Sequence, residues 1–237
     1  MSRRYAIYYC PARDTHLWRQ GSAWLGYDAA TGRKPPPPDS LELPRHTFET
    51  AVTAPARYGF HATLVAPFEL ADQHSESALC AALTTFCDAR HPFAAPLEVQ
   101  RLDRFLALTP MATDQEACRK LNELAESCVR TFDAFRAPLS EHDRRRRATA
   151  DLAPRQRAHL ARWGYPYVLD AFRFHMSLTG ALPTDMLAPM QAVLGRLFDD
   201  VLRTPAPIAG LTLVTQPERD SPFTWVRQFP FCYRKKD

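Results

Sequence analysis

The stretch Phe172-Arg173-Phe174-His175-Met176-Ser177-Leu178-Thr179 alternates apolar and polar side chains along its whole length. This period of two is typical of a half-buried β-strand, in which residues i and i+2 share a face. His175 and Ser177 should therefore project side by side from a polar face, with Arg173 beside them. The pattern predicts a strand over about residues 170–180.

An earlier stretch, Arg57-Tyr58-Gly59-Phe60-His61-Ala62-Thr63-Leu64, has the same arrangement. It predicts a strand over about residues 57–67, with His61 and Thr63 on its polar face. A single histidine on a strand is more often an ordinary surface residue than a catalyst. Two such motifs with matched apolar faces are difficult to explain by chance, so the repeat favours catalysis.

The residue types in the two motifs suit a phosphate group. Histidine takes or gives a proton near neutral pH, and a neighbouring hydroxyl donates a hydrogen bond to a phosphoryl oxygen. If the two strands face each other, His61 and His175 lie on either side of the phosphorus as an acid–base pair. Thr63 and Ser177 would position the phosphate. The motifs therefore predict phosphodiester chemistry that needs no metal and no cofactor.

Four further residues are candidates for contact with the substrate. Arg57 and Arg173 precede the motif histidines, and a guanidinium offers a fixed fork for an anion. Tyr8 lies in a β-rich run from Arg4 to Cys10 and would face the cleft if that strand lies beside a motif strand. Tyr167 could line the same pocket.

His61-Ala62-Thr63-Leu64 and His175-Met176-Ser177-Leu178 resemble the paired His-x-Thr/Ser-x motifs of the two-histidine phosphoesterase superfamily, also called LigT-like. Segments such as Arg4-Tyr5-Ala6-Ile7-Tyr8 are similar to one branch, the proteins associated with phosphonate-utilisation operons. The resemblance implies a small phosphorylated substrate, for example a ribose cyclic phosphate. Val65 and Ala181 depart from the branch, in which basic residues are common at these positions. The resemblance therefore does not define which anionic groups of the substrate the protein binds.

The predicted elements repeat in order. Each motif strand is followed by a helix, near residues 75–90 or from Thr184 to about Arg203, and then by two strands. This order predicts an α+β fold with two pseudo-symmetric lobes, each an antiparallel sheet with helices outside, around a central cleft. The LigT-like fold implied by the resemblance is the same arrangement. We expect residues 1–237 to form a single bilobal domain.

Composition narrows the class of protein. The 237 residues are 46% hydrophobic, enough for a sizeable core, and contain neither a run of eighteen apolar residues nor a secretory signal. We therefore expect a cytoplasmic protein without a membrane partner. The net charge of +4 suits small anionic substrates. Binding of RNA is not favoured, because the run Arg144–Arg147 is interpreted as a solvated helix face.

Three alternatives remain at this point. The first is a 2′,3′-cyclic nucleotide or RNA-end phosphodiesterase, and the second is a protein that binds phosphorylated ligands without chemistry. A metallophosphoesterase is the third, but the six cysteines lack Cys-x-x-Cys spacing and neither motif has a metal-ligand set nearby. The run Pro35–Pro38 predicts an exposed extended loop, and the sequence does not define its role or the oligomeric state.

Overall fold

A computed structural model describes residues 3–38, 43–148 and 151–233. Within these ranges the chain forms seven α-helices, nine β-strands and two short 3₁₀ helices. The strands are β1 (Arg4–Tyr9), β2 (Ala62–Glu69), β3 (Phe93–Ala95), β4 (Leu97–Leu102), β5 (Phe105–Pro110), β6 (Met176–Ser177), β7 (Ala206–Ile208), β8 (Gly210–Gln216) and β9 (Thr224–Pro230). The helices are α1 (His16–Leu25), α2 (Arg45–Ala56), α3 (Glu76–Asp88), α4 (Gln115–Phe132), α5 (Glu141–Arg147), α6 (Pro154–Trp163) and α7 (Thr184–Leu202).

Seven of the strands form one antiparallel sheet in the order β4-β5-β6-β2-β1-β8-β9, and β3 pairs separately with β7. The predicted α+β class is confirmed. The prediction of a separate sheet in each lobe differs from this structure, in which both motif strands are neighbours in one sheet. The physical reason is that β6 hydrogen-bonds to β2 on one side and to β5 on the other, which joins the two halves.

The order of elements is similar in the two halves. After β2 come α3, a short strand and the hairpin β4-β5, and after β6 come α7, a short strand and the hairpin β8-β9. The two short strands are β3 and β7, which pair with each other. Each helix crosses to the hairpin of the other half, since α3 packs on β8 and β9 while α7 packs on β4 and β5.

The first motif strand begins later than the predicted residue 57. Helix α2 extends to Ala56, and Gly59 then turns the chain with a φ of 74° before β2 starts. A glycine is required here because a Cβ at this position would lie 2.7 Å from the Cβ of Ala29, and a positive φ disfavours other residues. The residues before Ala62 are therefore a turn and not a strand.

The second motif strand is much shorter than the predicted span of 170–180. A 3₁₀ helix at Leu169–Ala171 precedes it, and regular pairing is limited to β6. The alternation still describes burial correctly, because Phe174, Met176 and Leu178 are all buried. Period two thus predicted which side chains enter the core and overestimated the length of backbone pairing.

Strand β1 lies between β2 and β8, and all six of its residues are buried. Arg4 and Tyr8 lie on the same face of this strand as Ala6, because side chains alternate along it. The guanidinium of Arg4 and the hydroxyl of Tyr8 therefore lie on one side of the sheet. None of the described helices has both the length and the apolar character needed to cross a membrane.

Candidate active site

A cavity of about 410 Å³ lies over the central strands of the sheet and contains the polar side chains of both motifs. This volume is within the usual range for small-molecule sites. Its lining comprises the motif residues His61, Thr63, His175 and Ser177, the arginines Arg4, Arg146 and Arg147, the tyrosines Tyr8, Tyr58 and Tyr165, and Ala66 and Pro67. The structure therefore brings the four predicted catalytic residues together.

The pairing of β2 with β6 sets the relative positions of the four motif side chains. Ala62 pairs with Met176 in the antiparallel direction. Continuing this register places Thr63 across from His175 and His61 across from Ser177. Side chains opposite each other on neighbouring strands share a face and lie within a few ångströms. Each histidine therefore has the hydroxyl of its own motif along the chain and that of the other motif across the sheet.

His61 is held by contacts on both ring nitrogens. Its Nδ1 lies 2.9 Å from the carbonyl oxygen of Gly59, and its Nε2 lies 3.0 Å from Oγ1 of Thr63. A carbonyl oxygen only accepts, so Nδ1 carries the proton and Nε2 accepts from the threonine hydroxyl. The ring also stacks on Tyr8, with 3.8 Å between ring centroids. Nε2 is thus the basic nitrogen of a fixed imidazole.

His175 uses the same orienting contact. Its Nδ1 lies 2.8 Å from the carbonyl oxygen of Arg173, again two residues earlier in the chain. The same reasoning gives Nδ1 the proton and leaves Nε2 unprotonated in the neutral ring. Phe105 meets the ring edge-on, with 5.7 Å between centroids. Both motifs therefore present an imidazole whose Nε2 is the reactive nitrogen.

The surroundings favour the neutral form of both histidines. Burial lowers the pKa of His61 from 6.5 to about 4, a value that already includes a partial opposing effect of the bond to the Gly59 carbonyl and a smaller lowering by the neighbouring His175. Burial likewise lowers the pKa of His175. A phosphate bound between them would have the opposite effect, because a nearby negative charge favours the protonated ring. The site can thus hold a basic imidazole and acquire its proton together with an anion.

Tyr8 brings a buried donor to the cavity, as predicted for a strand beside a motif strand. The residue is 1% exposed, and its hydroxyl has no hydrogen-bond partner among the described residues. Burial raises the pKa of the phenol well above its ordinary value, so the hydroxyl keeps its proton. An unpaired buried hydroxyl is costly, and a ligand oxygen would satisfy it.

Three arginines reach the cavity that were not singled out in the sequence. Arg4 is 5% exposed, and its Nε donates to Oε1 of Gln216 at 2.9 Å. Arg146 and Arg147 come from the end of α5. The interpretation of the whole 144–147 run as a solvated face is therefore corrected for these two residues. The period-two pattern of β1, which places Arg4 on the same face as Tyr8, was the available signal for Arg4.

Three of the predicted substrate contacts lie elsewhere. Arg173 is exposed and is not among the lining residues, although its carbonyl orients His175. Arg57 is exposed and forms an ion pair with Asp220 at 3.5 Å. Tyr167 is 47% exposed and meets Tyr165, which does line the cavity, edge-on. Their role in substrate binding stays a prediction.

Acidic and sulfur ligands are not concentrated anywhere in the described part of the chain. Within residues 3–38, 43–148 and 151–233, no group of three or more His, Cys, Asp and Glu side chains is placed to hold a metal ion. The polar character of the cavity comes instead from imidazole, hydroxyl and guanidinium groups. These groups recognise anions.

Two curated relatives align with nearly all of the chain. It is 36% identical over 236 residues to "Ribose 1,5-bisphosphate phosphokinase PhnN" from Janthinobacterium sp. (strain Marseille), covering 96% of this chain and 51% of the relative. It is 34% identical over 224 residues to the protein of the same name from Laribacter hongkongensis (strain HLHK9), covering 94% of this chain and 51% of the relative. The chain thus spans about half the length of these relatives.

A solved structure is also similar. It is the "Conserved Protein of Unknown Function ATU0111" from Agrobacterium tumefaciens str. C58, with 12% identity, a TM-score of 0.44, and coverage of 97% of this chain and 87% of that one.

Residues 63–224 match the family described as "Protein of unknown function (DUF1045)". The matched region contains Thr63, His175 and Ser177 and begins two residues after His61. It also contains β2 from its second residue onward, and strands β3 to β8 and helices α3 to α7 in full. Since the match covers more than half of the chain, this protein belongs to the DUF1045 family.

Proposed function

We propose that this protein is a metal-independent phosphoesterase that opens a cyclic phosphodiester on a small phosphorylated sugar or nucleotide. The observation that supports the proposal is the paired imidazoles of one cavity. Each is oriented through Nδ1 by the carbonyl two residues earlier, and each lies beside a hydroxyl. Two such groups supply the base and the acid that hydrolysis of a phosphodiester requires.

In this reaction one ring removes a proton from water and the other supplies a proton to the leaving oxygen. Nε2 of one neutral histidine takes a proton from water as the water oxygen bonds to phosphorus. Nε2 of the other, protonated histidine gives its proton to the sugar oxygen as the phosphorus–oxygen bond of the ring breaks. The product is a phosphomonoester with a free hydroxyl. The protonation states of the two histidines are reversed at the end, and solvent restores them.

We assign the base to His61 and the acid to His175. His61 is fixed on both nitrogens and has a pKa of about 4, so it is neutral when free enzyme meets substrate at neutral pH. His175 has only its Nδ1 contact and is free to carry a proton on Nε2 toward the leaving oxygen. The hydroxyls of Ser177 and Tyr8 donate to the phosphoryl oxygens. Substrate binding turns the Thr63 hydroxyl from Nε2 of His61 to a phosphoryl oxygen, which frees this nitrogen for the attacking water.

We further propose that the fold is the two-lobed, pseudo-symmetric LigT-like arrangement. Three observations support it: the repeated order of elements, the position of β2 and β6 at the centre of the sheet, and the exchange of α3 and α7 between the hairpins of the two halves. In this view the cavity lies where the halves meet.

Phosphorylated ribose is the substrate class that we favour. The names of the two relatives refer to ribose 1,5-bisphosphate, although this chain spans only half of each. The printed sequence contains no Gly-x-x-x-x-Gly-Lys-Ser/Thr phosphate loop for ATP. We therefore propose that this chain acts on a phosphorylated ribose by hydrolysis and that the phosphokinase activity named for the relatives belongs to their remaining length.

The test is hydrolysis of ribose 1,2-cyclic phosphate, 2′,3′-cyclic nucleotides and cyclic-ended oligonucleotides in the presence of EDTA. Wild type should turn over a sugar or nucleotide substrate, and His61→Ala and His175→Ala should each lose about 10²–10⁴ in rate. The matched control is His16→Ala, because His16 is an exposed histidine on α1 outside the cavity.

Each other outcome would support a different function for the site. Activity on oligonucleotides alone would indicate an RNA-end phosphodiesterase, and loss of activity in EDTA would overturn the metal-independent mechanism. Binding of the esters with no turnover of any would reduce the site to a ligand-binding role. Unchanged rates in both histidine variants would refute the acid–base pair.

A further inference from the structure

The residues that line the cavity are spread along the paired strands β1 and β2. Tyr8 pairs with Thr63 near the histidines, whereas Arg4 pairs with Glu69 at the other end of the same strands. Arg147 reaches this second end, where its Nη2 donates to the carbonyl oxygen of Pro67 at 2.7 Å. Tyr8 and Arg4 are four residues apart along β1, which pairs with β8 without a register shift, so about 13 Å of extended strand separates them. The cavity therefore has a histidine end and an arginine end.

Positive charge exceeds negative charge at the arginine end. Arg4 is buried, and no described carboxylate forms an ion pair with it. Arg147 donates to two backbone carbonyls, those of Pro67 and Gly164, and forms no ion pair with a described carboxylate, although Asp143 acts on its charge at longer range. Two carboxylates lie near this end, and both pair with Arg219. Asp143 accepts two bonds of 2.6 Å from it, and Glu69 lies 3.4 Å from it.

Arg146 shares the Asp143 carboxylate at a longer distance. Its Nη2 lies 3.3 Å from Oδ1 of Asp143, and about half of its side chain is exposed. The mutual repulsion is evident in the pKa of Arg4, which burial lowers first and the neighbouring Arg219 and Arg146 lower further. A buried cation without a counter-charge is unfavourable, so this end of the cavity is suited to an anion.

We propose that the arginine end binds a second phosphate group of the substrate, separated by the sugar from the phosphate at the histidines. This inference rests on the proposed function and specifies its substrate class as a bisphosphorylated sugar. Arg4, Arg146 and Arg147 supply the guanidinium donors. Tyr58 and Tyr165 also line the cavity and offer aromatic surface to the sugar. The Tyr58 ring lies 6.2 Å from that of His61, and the Tyr165 ring lies 5.7 Å from the guanidinium of Arg147.

Guanidinium and phosphate suit each other in geometry and charge. Hydrogen bonds between two charged groups are about twice as strong as neutral ones, and a fork of donors matches two phosphoryl oxygens. Side chains of arginine span part of the distance between the ends, so a five-carbon sugar with a phosphate at each end can bridge the remainder. A substrate with only one phosphate would leave the arginine end unsatisfied.

The deciding experiment is calorimetric titration with ribose 1,5-bisphosphate and with ribose 5-phosphate, because binding needs no turnover. Wild type should bind the bisphosphate at least about tenfold more tightly than the monophosphate, as expected for one added charge-assisted contact. Arg147→Gln and Arg146→Gln should reduce this ratio to about threefold or less. Arg4→Gln should do the same if it folds, but the conclusion does not depend on it.

The matched control is Arg145→Gln. Arg145 lies on the same helix α5, is exposed and pairs with Glu141, so its replacement removes an equal charge away from the cavity. The ratio of the two affinities should stay at the wild-type value in this variant. A wild-type ratio near one, or a ratio that falls equally in Arg145→Gln, would overturn the second phosphate site.

Hydrolysis separates this inference from the proposed function. Ribose 1,2-cyclic phosphate is compared with and without a phosphate on carbon 5. Turnover of both with equal efficiency, together with equal binding, would refute the second phosphate site and leave the phosphoesterase standing. No turnover of either, with a retained preference for the bisphosphate, would refute the phosphoesterase and leave the arginine end as a phosphate site.

Discussion

The two motifs have the same spacing of histidine and hydroxyl but different surroundings. His61 precedes the eight-residue strand β2, hydrogen-bonds to Thr63 and stacks on the buried Tyr8. His175 precedes a strand of only two residues and packs edge-on against Phe105. The shared feature is the bond from Nδ1 to a carbonyl two residues back, which fixes the tautomer in both.

The difference teaches that one local pattern can serve two chemical roles. The tautomer comes from the local backbone and is therefore repeated with the motif. Burial and stacking come from distant elements such as β1 and differ between the copies. An imidazole fixed on both nitrogens suits a base, and a less constrained one suits an acid, so the comparison leads to three predictions.

The largest effect should separate the acid from the base. The leaving group of a 4-nitrophenyl phosphodiester needs no proton. On this ester, the hydrolysis rate of His175→Ala should therefore be lower than that of wild type by about tenfold or less. His61→Ala should keep the full loss of about 10²–10⁴, because water must still be deprotonated. Steady-state rates on this ester and on a cyclic phosphate measure the difference. An equal response of both variants would show that the two motifs are equivalent.

The second prediction concerns stability in acid. The unfolded chain protonates His61 near pH 6.5, whereas the folded protein does so only near pH 4. The unfolded state therefore binds more protons in this interval, and the free energy of unfolding falls as the pH is lowered through it. Between pH 7 and pH 5 this histidine should remove about 2 kcal/mol of stability.

Urea unfolding at the two pH values provides the measurement. His61→Gln cannot titrate and should lose about 2 kcal/mol less than wild type over the same interval. His175→Gln should reduce the acid-induced loss of unfolding free energy by a smaller amount than His61→Gln does. His175 has one aromatic neighbour, Phe105, whereas His61 has two, Tyr8 and Tyr58. An acid response of His61→Gln identical to wild type would contradict the depressed pKa.

The smallest effect tests a contact that only the first motif has. Tyr8→Phe removes a buried hydroxyl that lacks a partner, so the midpoint of thermal unfolding should stay the same or rise. Affinity for a phosphate ester should drop by about tenfold, since the hydroxyl donates to the ligand. Tyr9→Phe is the control, because the hydroxyl of Tyr9 donates to the carbonyl of Pro207, 3.3 Å away. Reduced affinity in Tyr9→Phe as well would remove the assignment of Tyr8.

Two helices and the core faces of the motif stretches were predictable from sequence, whereas α2 (Arg45–Ala56) was not predicted. A helix was predicted over 75–90 and is observed at Glu76–Asp88, and one predicted from Thr184 is observed at Thr184–Leu202. Apolar periodicity reports burial directly, which explains this agreement. Pairing of backbones depends on distant strands, so neither the length of β6 nor the single large sheet could be read from the local alternation.

The site was predictable only where its residues are neighbours in the motifs. His61, Thr63, His175 and Ser177 were identified together because they share two short stretches. Arg57 and Arg173 were chosen for the same nearness, yet the chain is not a regular strand at either position, and their side chains are exposed. Arg4, Arg146 and Arg147 arrive from β1 and α5, and only the tertiary fold brings them to the cavity.

The exchange of helices between the two halves has a consequence for the integrity of the protein. Since α3 covers the hairpin β8-β9 and α7 covers the hairpin β4-β5, each half separated from the other would expose the apolar face of its own hairpin. A chain cut between the halves should yield fragments that are poorly soluble alone and that recover structure by complementation when mixed. The protein would then behave as an intramolecular dimer whose two partners depend on each other for their cores.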